Sequence, residues 1–371
     1  MKKPTAYLVA ALTTLLALPV IAAPAAPAPT IKSVRVTLVS ALTGPNATPS
    51  TQPVDLCGTD LGAMSELNGK IFFAFGDSFG FKGPECPKFG PNWRSNLLAA
   101  TGDRDPSDGV KLDWWLTNAA GTAIAMQEGR HEPPFRGADG EQSRISTAMI
   151  ALNGVLYTHF MSVHGFAAKG GEWSCNSSSF ASSKDAGNTW TPMTGVVGGP
   201  DSNFNMLALS AERGGGNEDG KYVYALGTPC GRFDGVKVAR FLPADILRPA
   251  AWAYYSAAPG AKPAWSAKAA DAKQVIPPDV GEASVLWNPW LKRWMYTYLN
   301  EGTASLELRE APAPWGPWSS PVTLAGAATY PQLYGAFMTP SFLKDGGKTL
   351  YFIMSQFGPY NTFVMKASLE K

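Results

Sequence analysis

The chain reads as all-β, a five-bladed β-propeller carrying one Asp-box hairpin, and two recurrences point there. Short β-rich, aromatic-rich runs recur along it: KIFFAFG (70–76), VLYTHFM (155–161), KYVYALG (221–227), RWMYTYL (293–299) and TLYFIMS (349–355). Ahead of them stand Asn68-Gly69, Asn153-Gly154, Asp219-Gly220, Leu291-Lys292 and Gly346-Gly347. All but Leu291-Lys292 have hairpin turn chemistry, because tight two-residue turns need positive φ. Long stretches of helical periodicity are missing, while Gly (38) and Pro (31) are abundant. Five sheets of about four strands each match the size of a five-bladed ring. The spare strand SVRVTLVS (33–40) is expected to complete the last sheet and remove an exposed edge.

Before that strand the chain has a different character. Lys2 and Lys3 form a charged n-region, Ala6 to Ile21 an apolar h-region, and Ala22, Ala23 and Ala25 offer small residues for cleavage. Residues 1–25 are therefore expected to be a signal peptide. Residues 26–32 are expected to be a Pro/Ala linker with nothing to bury, and 33–371 a single catalytic domain. The mature protein is expected to be secreted or periplasmic, off the membrane and monomeric. Charged residues make up 16% and the net charge is +2, which gives no footprint for nucleic acid or for an anionic membrane surface. Cys57, Cys86, Cys175 and Cys230 form no Cys-x-x-Cys pair and allow three connectivities. Cys57–Cys86 with Cys175–Cys230 is expected, since each closes a local loop.

Ser183-Lys184-Asp185-Ala186-Gly187-Asn188-Thr189-Trp190 fits S-x-D-x-G-x-T-W. It resembles the Asp box of sialidases and related propellers, in which Asp and Gly build a turn and Trp plugs the blade. Asp185 is accordingly a structural residue. Pro314-Trp315-Gly316-Pro317-Trp318 reads as an outer-strand motif of the fourth blade.

The candidate chemistry lies around Asn68-Gly69, in GTDLGAMSELNGKIFFAFGDSFG. Counting outward from that turn pairs Leu67 with Lys70 and Glu66 with Ile71, and finally brings Asp60 opposite Asp77. Direct cross-strand partners have Cβ atoms about 4.5–5.5 Å apart, and like charges there destabilise a sheet. Two carboxyl groups about 5 Å apart are also the geometry of a retaining glycosidase. The bland alternative is a pair of strand-end turn residues splayed into water. Gly62 and Gly76 are the places where a bulge would break this register. Glu282 and Glu301 flank Leu291-Lys292 in the same way, which makes Glu282 a substrate-binding candidate or an exposed strand-end residue.

Other candidates surround that pair. Arg94 and Asn96 in PNWRSNLL offer a charge or a hydrogen bond, against a plain strand-entry turn. His159 interrupts an aromatic strand, where a satisfied core histidine is the competing reading. Tyr334, Gln356 and Tyr360 sit near strand ends of the fifth blade and are placed to line a sugar groove. Asp103, Asp105 and Asp108 have calcium-loop spacing, yet Trp114 stands where an EF-hand needs Glu, so solvated Asx-turns are expected. With three histidines, no nucleotide fingerprint and no Gly-x-Ser-x-Gly elbow, neither metal nor cofactor is expected.

GTDLG with FAFGDSF, WRSNLLA, DPSDG, SxDxGxTW, GEASV, APAPWGPW, and YGAFMTPSFL with LYFIMSQFGPYN together resemble one bacterial family, from about residue 57 to 365. Its members are five-bladed propellers long filed as a domain of unknown function and now assigned as endo-D-arabinanases. The resemblance implies cleavage of internal α-D-arabinofuranosyl links in arabinogalactan and lipoarabinomannan. It also implies that the acidic pair is Asp60 and Asp77. An arabinan-type polysaccharide is thus the expected partner. One aspartate is expected to act as nucleophile and the other as acid/base; the sequence does not fix which, and Asp77, followed by Ser78, is taken as the nucleophile with Asp60 as the acid/base. A sialidase-like exo-glycosidase and a non-catalytic glycan-binding propeller are the alternatives.

Overall fold

The computed structural model describes residues 26–134, 140–258 and 261–371. The expected signal peptide, residues 1–25, lies outside them. The protein is all-β, with five antiparallel sheets and a few single-turn 3-10 segments. Sheet one holds Gly58–Leu67, Lys70–Phe79, Leu97–Thr101 and Trp114–Trp115, in that spatial order. Sheet two holds Ser143–Leu152, Val155–Phe166, Trp173–Ser183 and Thr191–Pro192. Sheet three holds Met206–Ser210, Val223–Thr228, Val236–Phe241, Ala253–Tyr255 and Trp265–Ser266, with Gln274–Ile276 also on Val236–Phe241. Sheet four holds Val280–Asn288, Arg293–Asn300, Ser305–Ala311 and Val322–Gly326. Sheet five holds Leu333–Lys344, Thr349–Gln356, Asn361–Glu370 and, on its edge, Ser33–Ala41.

The first strands of the five sheets touch one another in a closed circuit, with that of sheet five returning to that of sheet one. Each sheet is therefore covered on both faces by its neighbours. This explains why the second strands read as nearly continuous apolar runs rather than as alternations. Phe72, Phe73 and Phe75 in the run IFFAF are all at most 2% exposed, and burying each contributes about 1.5–3 kcal/mol. The core is divided between the sheets. Phe180 packs with Phe241 and Trp252 between sheets two and three. Tyr224 and Trp265 of sheet three meet Trp315 with ring centroids 5.9 and 5.7 Å away. The PWGPW segment thus plugs the gap between sheets three and four.

Ser33–Ala41 pairs with Asn361–Glu370, as the sequence implies. Residues 26–32 ahead of it are mostly exposed, except that Ile31 is 1% exposed and donates its backbone N–H to Glu310, while Pro27 O accepts from the Ser320 amide.

The turns divide into two kinds. Asn68-Gly69 and Asn153-Gly154 form two-residue turns with φ of 51° and 80° in both cases. Asp219-Gly220 does not. Ser210 pairs with Tyr224, and residues 211–222 form an excursion whose centre, Asn217, bonds to Glu212 and Tyr222. The Leu291-Lys292 turn is off centre as well. Asn288 pairs with Arg293, so the symmetric pairing of Glu282 with Glu301 is absent. Asp103 and Asp105 accept N–H bonds two residues on, as Asx-turns do.

At 183–190, Asp185 accepts from the Ser183 hydroxyl and from both the amide and the hydroxyl of Thr189, while Trp190 Nε1 donates to Gly187 O. The Thr189 bonds, with that of Ser183, hold the Asp185 carboxyl down at about 2. Gly187, at φ +91°, lets the turn approach sheet one, since an added Cβ would stand 2.7 Å from Leu98 Cδ2. Asp185→Ala should lower Tm while activity per folded molecule is unchanged. Because the carboxyl is depressed in the folded state, the Tm deficit should be full above about pH 4 and shrink as pH falls toward 2. A deficit independent of pH in thermal scans, or a folded but inactive variant, would contradict this assignment.

Candidate active site

The first strands all begin at the same end of the circuit, and the second strands end there. That end collects the acidic residues. Asp60 lies near the start of Gly58–Leu67 and Asp77 near the end of Lys70–Phe79. The register counted from Asn68-Gly69 holds on both sides of them: Ala63 pairs with Ala74, and Thr59 with Ser78. Between these pairs, Leu61 pairs with Phe75, so one extra residue on each strand makes two compensating bulges. Asp60 and Asp77 are thus neighbours across the ladder but not the direct partners expected, and the bulges fall at the two glycines. Leu61 takes φ +63° and Gly62 φ +117°. A left-handed leucine costs about 1–2 kcal/mol, which localises strain beside the acidic pair. Gly76 makes room for it, because an added Cβ would lie 2.2 Å from Asp60 Oδ1.

The two carboxyls are held by different donors. Asp60 Oδ2 accepts from Tyr334 of sheet five (2.9 Å) and from Tyr360 in the turn before that sheet's third strand (3.3 Å), while its Oδ1 is buried without a partner. Asp77 Oδ1 accepts from Trp93 Nε1 (2.7 Å) and from Ser143 Oγ (2.5 Å) at the start of sheet two. Burial, and then the charges of Asp77 and Glu282, push Asp60 up to about 8 against the pull of its tyrosines. Burial also raises Asp77, to about 7, against the bonds from Ser143 and Trp93. Both tyrosine hydroxyls are held well above their usual range, first by burial and then by the Asp60 charge.

Glu282 joins this cluster through Arg232. The Arg232 guanidinium bonds Glu282 Oε1 (2.8 Å) and Glu301 Oε2 (3.3 Å) and sits 5.1 Å from the centre of the Tyr334 ring. Glu282 Oε2 is buried and unpartnered. Arg232 follows Cys230, which is joined to Cys175, and the other bridge is Cys57–Cys86, the connectivity expected. Gln356 lies at the same rim, with its amide on Pro331 O.

Three candidates do other work. Arg94 donates to the carbonyls of Ala123 and Asp55, and Asn96 bonds Met126, Gln127 and Arg144, so both tie loops together. Arg94 still bears on the site, since its backbone pairs with Ser78 beside Asp77. His159 does not reach the cluster. It is 0% exposed at mid-strand, bonds Thr147 and meets Phe180 edge-on, and burial drives it down to about 3.

Arg232, Trp93 and Ser143 escaped sequence reasoning. The one signal for Arg232 is its place two residues after a cysteine at a strand end. Nothing local marks Ser143, and Trp93 stands beside the more conspicuous Arg94. A cavity of about 260 Å³ lies further along the central passage and is lined by Glu66, Ile150, Glu212, Val285 and Ser341 among others. The acidic pair does not line it. A smaller cavity lined by Leu61 and Glu282 lies nearer to the pair.

The chain belongs to the family described as a domain of unknown function, DUF4185, which matches residues 43–366. No curated protein matches it. Among solved structures it is similar to a protein put forward as a hydrolase from Bacteroides ovatus, with TM-score 0.58, 13% identity and coverage of 85% of this chain and 87% of that one. It is also similar to a family 117 glycoside hydrolase from the marine bacterium Zobellia galactanivorans, with TM-score 0.50, 12% identity and coverage of 91% and 90%. At these identities the likeness establishes the propeller-like fold.

The raised carboxyl of Asp60 fixes the sign of a pH effect. Between about pH 4 and 8 the unfolded chain has lost this proton while the folded protein keeps it, so the group reduces stability as pH rises across that window. Asp60→Asn should match the wild type near pH 4 and exceed it at pH 8 by several kcal/mol, about 5 at most. Parallel stability-pH curves from denaturant titrations would show that Asp60 is not strained by ionisation.

Proposed function

We propose that this chain is a five-bladed propeller with an Asp-box turn at 183–190, secreted or periplasmic, acting as an endo-glycoside hydrolase on α-D-arabinofuranosyl links. The observation that carries the proposal is the pair of buried neighbouring carboxyls, Asp60 and Asp77, each with its own donors. The substrate class rests on the motif resemblance around that pair, and export on the charged and apolar N-terminal segment and the two disulfides.

The roles follow from the environments. Asp60, with the higher value of about 8 and one oxygen free of donors, holds the proton near neutral pH and is the acid. Asp77, whose carboxylate is stabilised by Trp93 and Ser143, is the nucleophile. In the first step Asp60 protonates the glycosidic oxygen as its bond to C1 breaks, and Asp77 bonds to C1. In the second, ionised Asp60 takes a proton from water, whose oxygen attacks C1 and releases Asp77. Glu282 Oε2, buried and without a donor, supports a role in accepting from a sugar hydroxyl, with Tyr334 close enough to feel its charge, and Gln356 is assigned to the same sugar groove. Arg94, Arg144 and Arg232 are each engaged by protein groups, which weighs against their forming the arginine triad that the sialidase-like alternative needs.

Sizing the products from mycobacterial-type D-arabinan and from plant L-arabinan tests the reading. Oligosaccharides from the first and none from the second are expected, with the anomeric configuration retained by NMR. Asp60→Asn and Asp77→Asn should each lower kcat by about 10²–10⁴-fold while remaining folded. Wild-type activity in either variant would mean that the pair is misassigned.

Activity should follow a bell in pH. It should fall below about 7 as Asp77 takes up a proton, and above about 8 as Asp60 loses one. A profile rising without limit toward acid pH would remove Asp77 from the nucleophile's role.

A further inference from the structure

Among the described residues the exposed phenylalanines are Phe89 (55%) and Phe357 (45%), and they meet each other with centroids 6.0 Å apart. They come from loops distant in sequence, one after sheet one's second strand and one after sheet five's. Exposed apolar rings in contact are costly to leave in water, and such patches commonly mark interaction sites. These two are continuous with the acidic pair. Phe89 lies 5.2 Å from Tyr360, whose hydroxyl bonds Asp60. Phe89 also lies 5.2 Å from Phe79, which is 5.9 Å from Trp93, whose indole bonds Asp77. Each step is comparable to the length of one monosaccharide. Lys88 places its ammonium 3.2 Å from the centre of the Phe357 ring, adding donors suited to sugar hydroxyls. The Cys57–Cys86 bridge fixes the loop carrying Lys88 and Phe89 three residues from Asp60 in the chain.

Resting on the glycosidase reading above, we propose that Phe89 and Phe357 form a distal subsite on which a saccharide chain stacks as it runs outward from Asp60 and Asp77. A sugar presents C–H groups to an aromatic face, and rings lock little entropy when they bind. An occupant at the acids has to leave the site over some surface, and this one is apolar, exposed and physically joined to both carboxyls. A binding surface reaching several units from the scissile bond would hold internal stretches of a polymer, as the endo reading requires.

The test separates binding from chemistry by working on inactive Asp77→Asn protein. Affinity electrophoresis in D-arabinan, with plant L-arabinan and dextran as other probes, measures binding before and after adding Phe89→Ala and Phe357→Ala. Both rings are exposed, so Tm should hold, and a charge-neutral Phe89→Tyr control should retain binding. The double replacement is expected to weaken D-arabinan binding about tenfold or more. Unchanged binding overturns the proposal. So does a change confined to self-association in sedimentation runs, which would make the rings an interface between copies. Ring-dependent binding in a wild-type protein that releases no reducing ends would uphold the subsite and defeat the hydrolase reading.

Discussion

Asp60 and Asp77 come from strands hydrogen-bonded to each other, and both leave water, so ionising one opposes ionising the other. Sheet one alone does not stabilise this arrangement. The donors that do are Tyr334 of sheet five and Tyr360 in the turn before that sheet's third strand, Ser143 from sheet two and Trp93 from a loop after sheet one. The acidic pair therefore depends on three consecutive members of the circuit being packed side by side. Pairing of Ser33–Ala41 with the last strand of sheet five is part of that dependence. It covers the strand that begins one residue after Tyr360.

The same dependence explains why the backbone is irregular where it is. Regular strands would place the two aspartates as direct partners with both side chains on one face. The bulges at Leu61-Gly62 and Gly76-Asp77 re-aim them, leaving Asp60 Oδ2 to sheet five and Asp77 Oδ1 to sheet two. Strain at Leu61 is offset by its full burial and by its amide bond to Ser355 Oγ. Function and regularity thus compete within three residues, while the rest of the hairpin, from Ala63 to Ala74, keeps an unbroken register.

How much of this was legible depended on the range of the interaction involved. Asn68-Gly69 sets a register by local φ preferences, and counting from it located both aspartates correctly to within the bulges. The aromatic runs showed the strands because both faces of each sheet are covered. Leu291-Lys292 lacked the turn chemistry and was placed one residue off centre. Ile31 carried no local signal, standing between the Pro/Ala run with Thr30 and the charged Lys32, and its partner Glu310 is supplied by sheet four, far along the chain. His159 and Arg94 drew attention as polar residues in apolar surroundings, yet their partners, Thr147 and the carbonyls of Ala123 and Asp55, are supplied by other segments. Trp93 and Ser143 are ordinary residues locally, and their meaning appears once sheets one and two are side by side.

Charge balance completes the physical account. Four carboxylates, Asp60, Asp77, Glu282 and Glu301, gather near one mouth of the circuit, with Arg232 the cation bonded among them. Arg232 bonds the two glutamates and neither aspartate, and this distribution matters. Neutralising Glu282 directly limits how far its charge adds to the burial of Asp60, while a guanidinium on Asp60 itself would have ionised the acid. The arginine instead reaches Asp60 at one remove, beneath the Tyr334 ring whose hydroxyl donates to it. Its position is set by the Cys175–Cys230 bridge, by Gly171, whose carbonyl accepts the Arg232 amide, and by Gly281, where a Cβ would stand 3.0 Å from Arg232 Cγ. Sheets two, three and four thereby act on an acid that belongs to sheet one. The protonation state of Asp60 is a property of the whole circuit.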